Sequence, residues 1–454
     1  MTKELLRKHY EKHRPLLHFT SRKGWMNDPN GLIYHEGYYH LFYQYYPDGV
    51  THGPMHWGHA RTSDFLSWEE LPIALYPDEK GTIFSGCMVY DKDNTSGFGQ
   101  GEAAPLVAVF THNMVKEGKT VQYQSLAYSL DGGMTFEKYE KNPVLDLNLT
   151  DFRDPKVFWD TRQQRWVMLT AAGQEIRFFA SGDLKEWSEL SSFAAKDMKP
   201  DEIWECPDLQ ELTGESGEKR WVLFVSQNTL DYAKTGVRYF VGEFDEGQFR
   251  AADGEEEALF LDFGRDNYAA ATYGEVSGRV IQQGWMNCWA YAAWLPEAGF
   301  RGSMTLPREL HIRKTKAGWR IIQTPVRELW ESFPVYEVTG DSSTTLLQSI
   351  PGIYKITFEN NTGQAVFQNR DSQLHVKLDF EYGKITVDRS KCARKSYGPH
   401  FQESSYAYFH SEEDRNIWVI LDVTSVEVFA ADGEAVGTFQ YFTEEPLEQV
   451  VIGK

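Results

Sequence analysis

Along most of this chain, apolar and polar positions alternate in short runs rich in Val, Ile, Tyr, Phe and Trp, and Gly, Asp, Asn or Pro breaks the runs roughly every ten residues. A two-residue period with frequent turn signals predicts strands nearly throughout. Helical spacing is confined to two places: the first dozen residues, where His9 and His13 stand four apart on a short amphipathic turn, and residues 326–333. A histidine pair on one turn needs further ligands nearby to hold a metal, so this pair reads as a solvated face.

The runs recur as a larger unit. An acidic residue beside a proline, followed by an apolar strand, a polar turn and a second apolar strand, occurs at Asp28-Pro29, Asp154-Pro155 and Pro207-Asp208. Weaker copies begin at Ser85-Gly86 and Tyr268. Behind them a second element repeats: Ser63-Asp64-Phe65 leading to Trp68, Ser129 leading to Phe136, and Ser181-Gly182-Asp183-Leu184 leading to Trp187. Successive starts lie 52 to 69 residues apart, close to the length of a four-stranded propeller blade with its loops. Five starts predict five blades; an array of β-sandwiches is the competing reading of the same strands.

Past about residue 325 the acid-proline starts disappear, and the runs at 352–360, 373–389 and 416–433 have sandwich character. The expected architecture is all-β: a five-bladed β-propeller over residues 1–325, a linker at 326–336 and a C-terminal β-sandwich over 337–454.

Composition narrows the partners. A chain of 454 residues exceeds what one core usually supports, in keeping with two domains. Lys+Arg 46 against Asp+Glu 66 leaves a formal net charge of −20, and a field of that sign repels nucleic-acid phosphates and anionic lipid. Neither nucleic acid nor a membrane is expected as a partner. Aromatic residues make up 15%; they favour strands and their faces stack on sugar rings, so the excess leans toward a carbohydrate ligand. Cys87, Cys206, Cys288 and Cys392 lie far apart with no CxxC pair, which argues against a zinc knuckle or a disulfide framework and for a reducing compartment. The amino-terminal segment is charged throughout, unlike a signal peptide, and no apolar run reaches the length of a membrane helix, so the expected location is cytoplasmic.

Blade starts converge around a propeller axis although they are remote in sequence. Asp28, Asp154 and Glu205 each open an inner-strand candidate, with 177 residues between the outer two. Three carboxylates aimed into one aromatic-lined funnel repel one another, which raises the pKa of at least one and keeps it protonated near neutrality. A glycosidase needs that inequality: one carboxylate ionised to attack or stabilise the anomeric centre, and a partner holding a proton for the departing oxygen. A plainer reading stands beside it, because Asp-Pro and Asn-Pro are common turn starters.

The residues themselves resemble a known family. Trp25-Met26-Asn27-Asp28-Pro29-Asn30-Gly31, Trp57-Gly58-His59, Phe84-Ser85-Gly86, Arg153-Asp154-Pro155, Glu205-Cys206-Pro207-Asp208 and Pro307-Arg308-Glu309-Leu310 occur in the order seen in glycoside hydrolase family 32, the β-fructofuranosidases, which include invertases, exo-inulinases and levanases. The resemblance continues through Asp262-Phe263-Gly264, Tyr268-Ala269-Ala270 and Gly284-Trp285-Met286 to residues 421–429, and so covers nearly the whole chain from about residue 14.

That resemblance implies a five-bladed propeller bearing the active site and a β-sandwich that is structural or joins a homodimer. By position it makes Asp28 the nucleophile, Glu205 the general acid/base and Asp154 the transition-state stabiliser that binds fructose hydroxyls. It also puts Asn27, Gln44, Trp57, Phe84, Ser85, Arg153, Tyr268 and Trp285 around the fructose. The implied reaction is retaining, exo-acting hydrolysis of terminal β-D-fructofuranosyl units from sucrose and fructo-oligosaccharides (fructans), with no metal and no cofactor.

Two departures bear on the leaving group. Relatives usually read Gln-Tyr-Asn-Pro and carry a Trp shortly before the Trp-Gly-His, where this chain has Gln44-Tyr45-Tyr46-Pro47 and His52. An imidazole in place of an indole wall changes stacking and hydrogen bonding near the scissile bond, so His52 joins the substrate-binding candidates. His52, His56 and His59 also have a zinc-like spacing, yet the chemistry needs no metal and His59 belongs to the family motif. Three other readings compete: fructosyl transfer to a sugar within the same fold, a catalytically silent sugar-binding propeller, and an inverting five-bladed glycosidase acting on arabinan or xylan.

Overall fold

The computed structural model describes residues 8–9, 12–101, 103–196, 198–230, 232, 234–252, 258–340, 344–392, 397–410 and 415–453. Five antiparallel sheets, four-stranded meanders with short additions on two of them, form the blades of a β-propeller. Their innermost strands are Gly24–His35 (β1), Thr82–Tyr90 (β2), Phe152–Asp160 (β3), Glu202–Thr213 (β4) and Tyr268–Thr272 (β5). Each packs against the next and β5 returns to β1, so the ring closes. All five repeat starts lie on these inner strands. The closing blade also reaches back through Phe300–Arg301, which pairs in parallel with Gly24 and Trp25 of β1.

Each blade is buried on both faces, which is why its middle strands read as continuous apolar runs rather than as alternation. Buried clusters fill the gaps between neighbours: Ile33, Phe42, Ile83 and Phe110 between the first and second blades, for example, and Leu169, Phe178, Leu223 and Phe240 between the third and fourth. The second repeating element is the turn into the outermost strand. Asp64 Oδ1 accepts the N–H groups of Leu66 and Ser67 at 2.9 and 2.8 Å, and Asp183 Oδ1 accepts those of Lys185 and Glu186, both at 2.9 Å. The Asp carboxylate replaces ladder hydrogen bonds that the reversing chain loses. Phe65 and Leu184 take the left-handed conformation in these turns (φ 61° and 64°).

A short helix, Arg327–Ser332 (α1), follows the last propeller strand. The helix expected in the first dozen residues falls largely on positions outside the described ones. Two further sheets, of five and six strands, face each other as a β-sandwich whose core holds Ile356, Phe367, Val376, Ile385, Val419 and Val428. Leu17, Leu306, Leu329, Ile353, Ile420 and Phe429 join the two domains with an apolar patch.

Beside that patch runs a fully buried polar network. His18 donates one ring N–H toward Asp422 Oδ2 (2.8 Å) and the other toward Glu427 Oε1 (3.1 Å). Glu427 also accepts Leu306 N–H at 2.8 Å and Arg308 Nη2 at 2.7 Å, while Arg308 Nη1 donates to Asp262 at 2.9 Å. Gly264 is required at this seam, because a Cβ there would lie 2.0 Å from the carbonyl oxygen of Thr438.

Candidate active site

Every inner strand breaks register at the residue it offers to the axis. The slips fall between Met26 and Pro29 on β1, between Ile83 and Gly86 on β2, between Glu205 and Asp208 on β4, and between Tyr268 and Ala271 on β5. On β3 the partner strand slips between Leu169 and Ala171, opposite Lys156 and Arg153, and so brackets Asp154. A bulge bends the strand and re-aims a side chain that regular pleating would send into a blade gap. Asp154, Cys206 and Ala269 adopt left-handed backbone (φ 63°, 47° and 52°), conformations non-glycine residues hold only where their surroundings dictate them.

The re-aimed side chains meet in one cavity of about 520 Å³, lined by Asp28, Asp154 and Glu205 together with Asn27, Gln44, His52, Phe84, Ser85 and Arg153. Asn27, Gln44, Ser85, Gln122 and Asp154 are the most buried of the lining residues, each at most 6% exposed, whereas His52 and Thr120 stand exposed at the rim. Asp28 Oδ1 accepts Asn27 Nδ2 at 3.1 Å, and its Oδ2 accepts the Ser85 hydroxyl at 2.8 Å and the Cys206 thiol at 3.5 Å. The same thiol stands 3.6 Å from Asp154 Oδ2, which also accepts the Cys206 backbone N–H at 3.0 Å. One residue thus bridges two carboxylates. Glu205 Oε1 receives Arg153 Nε and Nη2 at 3.2 and 3.1 Å, and its Oε2 accepts the Tyr268 hydroxyl.

Burial, and then the charge of Glu205, push the Asp28 carboxyl above its ordinary range, against the hydrogen bonds from Asn27 and Ser85. Asp154 is driven up to about 7 by burial and by the charges of Glu205 and Asp28, with Arg153 opposing. The repulsion expected among the three acids therefore adds to burial on both Asp28 and Asp154, and Asp154 is the most enclosed of the three. Burial holds the Cys206 thiol well above its usual value, so it stays a protonated donor. Desolvation by the groups around it lowers the His52 imidazole from its ordinary value, although the residue as a whole stays exposed at the rim.

Three residues expected around the sugar stand behind the lining instead. Trp57 and Trp285 are fully buried and Tyr268 is 1% exposed. Trp57 packs on Phe42 and Phe110 and donates its indole N–H to the Phe84 carbonyl at 3.0 Å, so it braces the wall from the core side. Trp285 lies against Trp25 and Trp289 at ring separations of 5.9 and 4.8 Å. Tyr268 reaches the site only through Glu205.

Other lining residues escaped sequence reasoning: Trp289, Asn113, Thr120, Gln122 and Asp151. Trp289 follows the Gly284-Trp285-Met286 motif by three residues and Asp151 precedes the Arg153-Asp154-Pro155 motif by two, signals that were available; Asn113, Thr120 and Gln122, polar residues of an ordinary alternating hairpin, gave none. Trp25 is likewise functional at one remove, since its indole N–H donates to Asn27 Oδ1 at 2.8 Å and thereby turns the Asn27 amine toward Asp28. His52, His56 and His59 do not converge. The imidazole of His59 meets His40 and that of His56 meets the Pro54 carbonyl, while His52 lies among Phe84, Trp289 and Trp25.

Comparison with known proteins places nearly the whole chain among relatives. A model described as "Glycosyl hydrolases family 32 N-terminal domain" matches residues 18–325, and one described as "Glycosyl hydrolases family 32 C terminal" matches 336–452. The levanase of Bacillus subtilis (strain 168) is 40% identical, the match covering 94% of this chain and 66% of that protein. The invertase of Schizosaccharomyces pombe (strain 972 / ATCC 24843) is 34% identical over 94% of this chain and 80% of its own length. Among solved structures, the exo-inulinase of Aspergillus awamori superposes with a TM-score of 0.88 at 32% identity, covering 98% of this chain and 96% of that one.

Proposed function

The chain belongs to glycosyl hydrolase family 32 and is a glycoside hydrolase of the fructofuranosidase type; from that premise we propose that it is a retaining exo-β-fructofuranosidase acting on sucrose and fructo-oligosaccharides. The observation that carries the proposal is that Asp28 and Glu205, from different blades, open onto one cavity with Asp154 beside them. Near the acids Lys156 Nζ donates to Asp208 Oδ2 and to the Thr272 carbonyl at 2.9 Å each, tying the third, fourth and fifth inner strands together.

In the first step an Asp28 oxygen bonds to C2 of the terminal fructosyl unit as the C2–O bond to the leaving sugar breaks, and the Glu205 carboxyl gives its proton to the departing oxygen. In the second, a water oxygen bonds to C2, the Asp28–C2 bond breaks, and Glu205 takes the water proton. Asn27, Ser85 and Cys206 hold Asp28 in place for attack. Asp154, titrating near neutrality, donates to or accepts from the fructose hydroxyls.

The test is to incubate the protein with sucrose, 1-kestose, inulin and levan and to measure free fructose, following the first-formed anomer by NMR. Fructose released initially as the β-anomer is expected. No fructose from any of the four refutes the proposal, and products longer than the starting sugar at high sucrose assign fructosyl transfer instead. The proposal extends to a reducing compartment, on the ground that all four cysteines are unpaired and three of them buried; cell fractionation tests it.

A further inference from the structure

At the mouth of the cavity the hairpin of the second blade, Leu106–Lys116 and Lys119–Ser129, contributes Asn113, Thr120 and Gln122. Asn113 and Gln122 are directly opposed across that hairpin. Gln122 is buried, and both ends of its amide are engaged. Nε2 donates to Asn113 Oδ1 at 3.0 Å, while Oε1 accepts the Phe152 N–H at 3.0 Å and Arg153 Nη1 at 3.3 Å. Arg153 then places Nε and Nη2 on Glu205 Oε1. One unbroken chain of hydrogen bonds therefore joins a rim amide to the acid/base of the proposed reaction.

With Oδ1 committed to Gln122, what Asn113 has left to offer the cavity is its amine. Its height matters. Asn27, hydrogen-bonded to Asp28, and Gln44 are 3% and 2% exposed, on the buried side where a terminal fructosyl ring would sit, whereas Asn113 is half-buried and Thr120 exposed at the rim. A ring attached to that fructosyl unit would project toward the rim, and Glu205 must protonate the oxygen between the two rings.

We propose that this hairpin reads the sugar on the leaving side of the scissile bond. Asn113 is a specificity-determining donor to a hydroxyl of that ring, and Gln122 is a positioning residue that ties the contact to Glu205 through Arg153. The inference rests on the fructosidase reading, and it names the preferred substrate class: fructosides whose leaving group is a hydroxylated ring rather than a simple alcohol.

The test compares sucrose with methyl β-D-fructofuranoside, which has an alkoxide-type leaving group but no second ring. Asn113→Ala is expected to lower kcat/KM on sucrose about tenfold, the worth of one lost hydrogen bond, and to leave the methyl fructoside unchanged. Gln122→Leu takes from Arg153 Nη1 one of its two side-chain acceptors, leaving Asp151 Oδ1 at 2.7 Å, and is expected to lower kcat on both substrates while leaving KM for the methyl fructoside in place. Gln122→Glu keeps the acceptor for Arg153 and the Phe152 amide but loses the donor to Asn113; it is expected to restore kcat on the methyl fructoside and to leave the sucrose preference lost. Equal losses on both substrates for Asn113→Ala, no loss on either, or no rescue by Gln122→Glu overturns the inference. Absence of fructose release by the unaltered protein is a different failure and removes the underlying reading as well.

Discussion

His18 offers a direct measurement of how the two domains hold each other. Its ring is fully buried between Asp422 and Glu427, and although burial opposes the charged form, the two carboxylates raise its pKa from 6.5 to about 9. At about 1.4 kcal/mol per pH unit, that shift is about 3 kcal/mol of favourable coupling between the imidazolium and the folded state. A pKa raised on folding means the stabilisation is present in full below pH 6.5 and is lost as pH rises through about 9. Glu427, which Arg308 and His18 hold down to about 2 against its burial, stays ionised across that window and does not blur it. In His18→Gln the titrating group is gone. With an unfolding entropy of about 2.1 cal/mol/K per residue, a protein of this size converts each kcal/mol into about 1 °C of midpoint. The deficit of the variant should therefore shrink by about 3 °C between pH 6 and pH 10, measured by thermal unfolding of both proteins in matched buffers. A deficit that stays constant with pH would refute a charged His18 and leave only a packing role.

Three further outcomes follow from the acids. Asp28→Asn should abolish fructose release with an unchanged circular dichroism spectrum, and a retained rate would remove Asp28 as nucleophile. Glu205→Ala should cost about 10²- to 10⁴-fold in kcat on sucrose, the usual worth of general acid/base help, read by initial-rate assay. Asp154→Asn should be inactive yet more stable: its carboxyl, raised from 3.8 to about 7, penalises the fold increasingly as pH rises through that range, so its melting midpoint should exceed that of the unaltered protein by up to about 4 °C at pH 8 and match it at pH 4.

The propeller was legible because each inner strand must start with a residue that turns the chain toward the axis, and Asp28-Pro29, Asp154-Pro155 and Pro207-Asp208 do so with the same chemistry. The last blade was fainter since Tyr268-Ala269 turns by a bulge alone, with Ala269 in left-handed backbone and no proline to announce it. Bulges also explain what stayed hidden. A register slip shifts which face a side chain takes without changing the composition of the strand, so the sequence shows that Trp57 and Trp285 are near the site but not that they back its wall. Asn113 and Gln122 sit on a strand pair whose alternation looks like any other, and only the fold brings them against Arg153.

The two domains are connected to the chemistry by the stretch from Asp262 to Tyr268. Asp262 is held by Arg308 and by the Thr438 hydroxyl of the sandwich, and Asp266 by Arg389 together with the Gln440 N–H at 2.8 Å. Asn267 Nδ2 returns to Asp262 Oδ2 at 3.3 Å. The next residue is Tyr268, whose hydroxyl meets Glu205. Buried ion pairs contribute little net stability compared with well-packed apolar side chains, but they admit few alternative geometries. Their placement immediately before Tyr268 therefore fixes direction more than it adds strength: the sandwich fastens a strand start that lacks a proline, and thereby sets where the hydroxyl facing Glu205 lies. On this account the second domain, none of whose described residues lines the cavity, belongs to the active site as the support of its fifth blade.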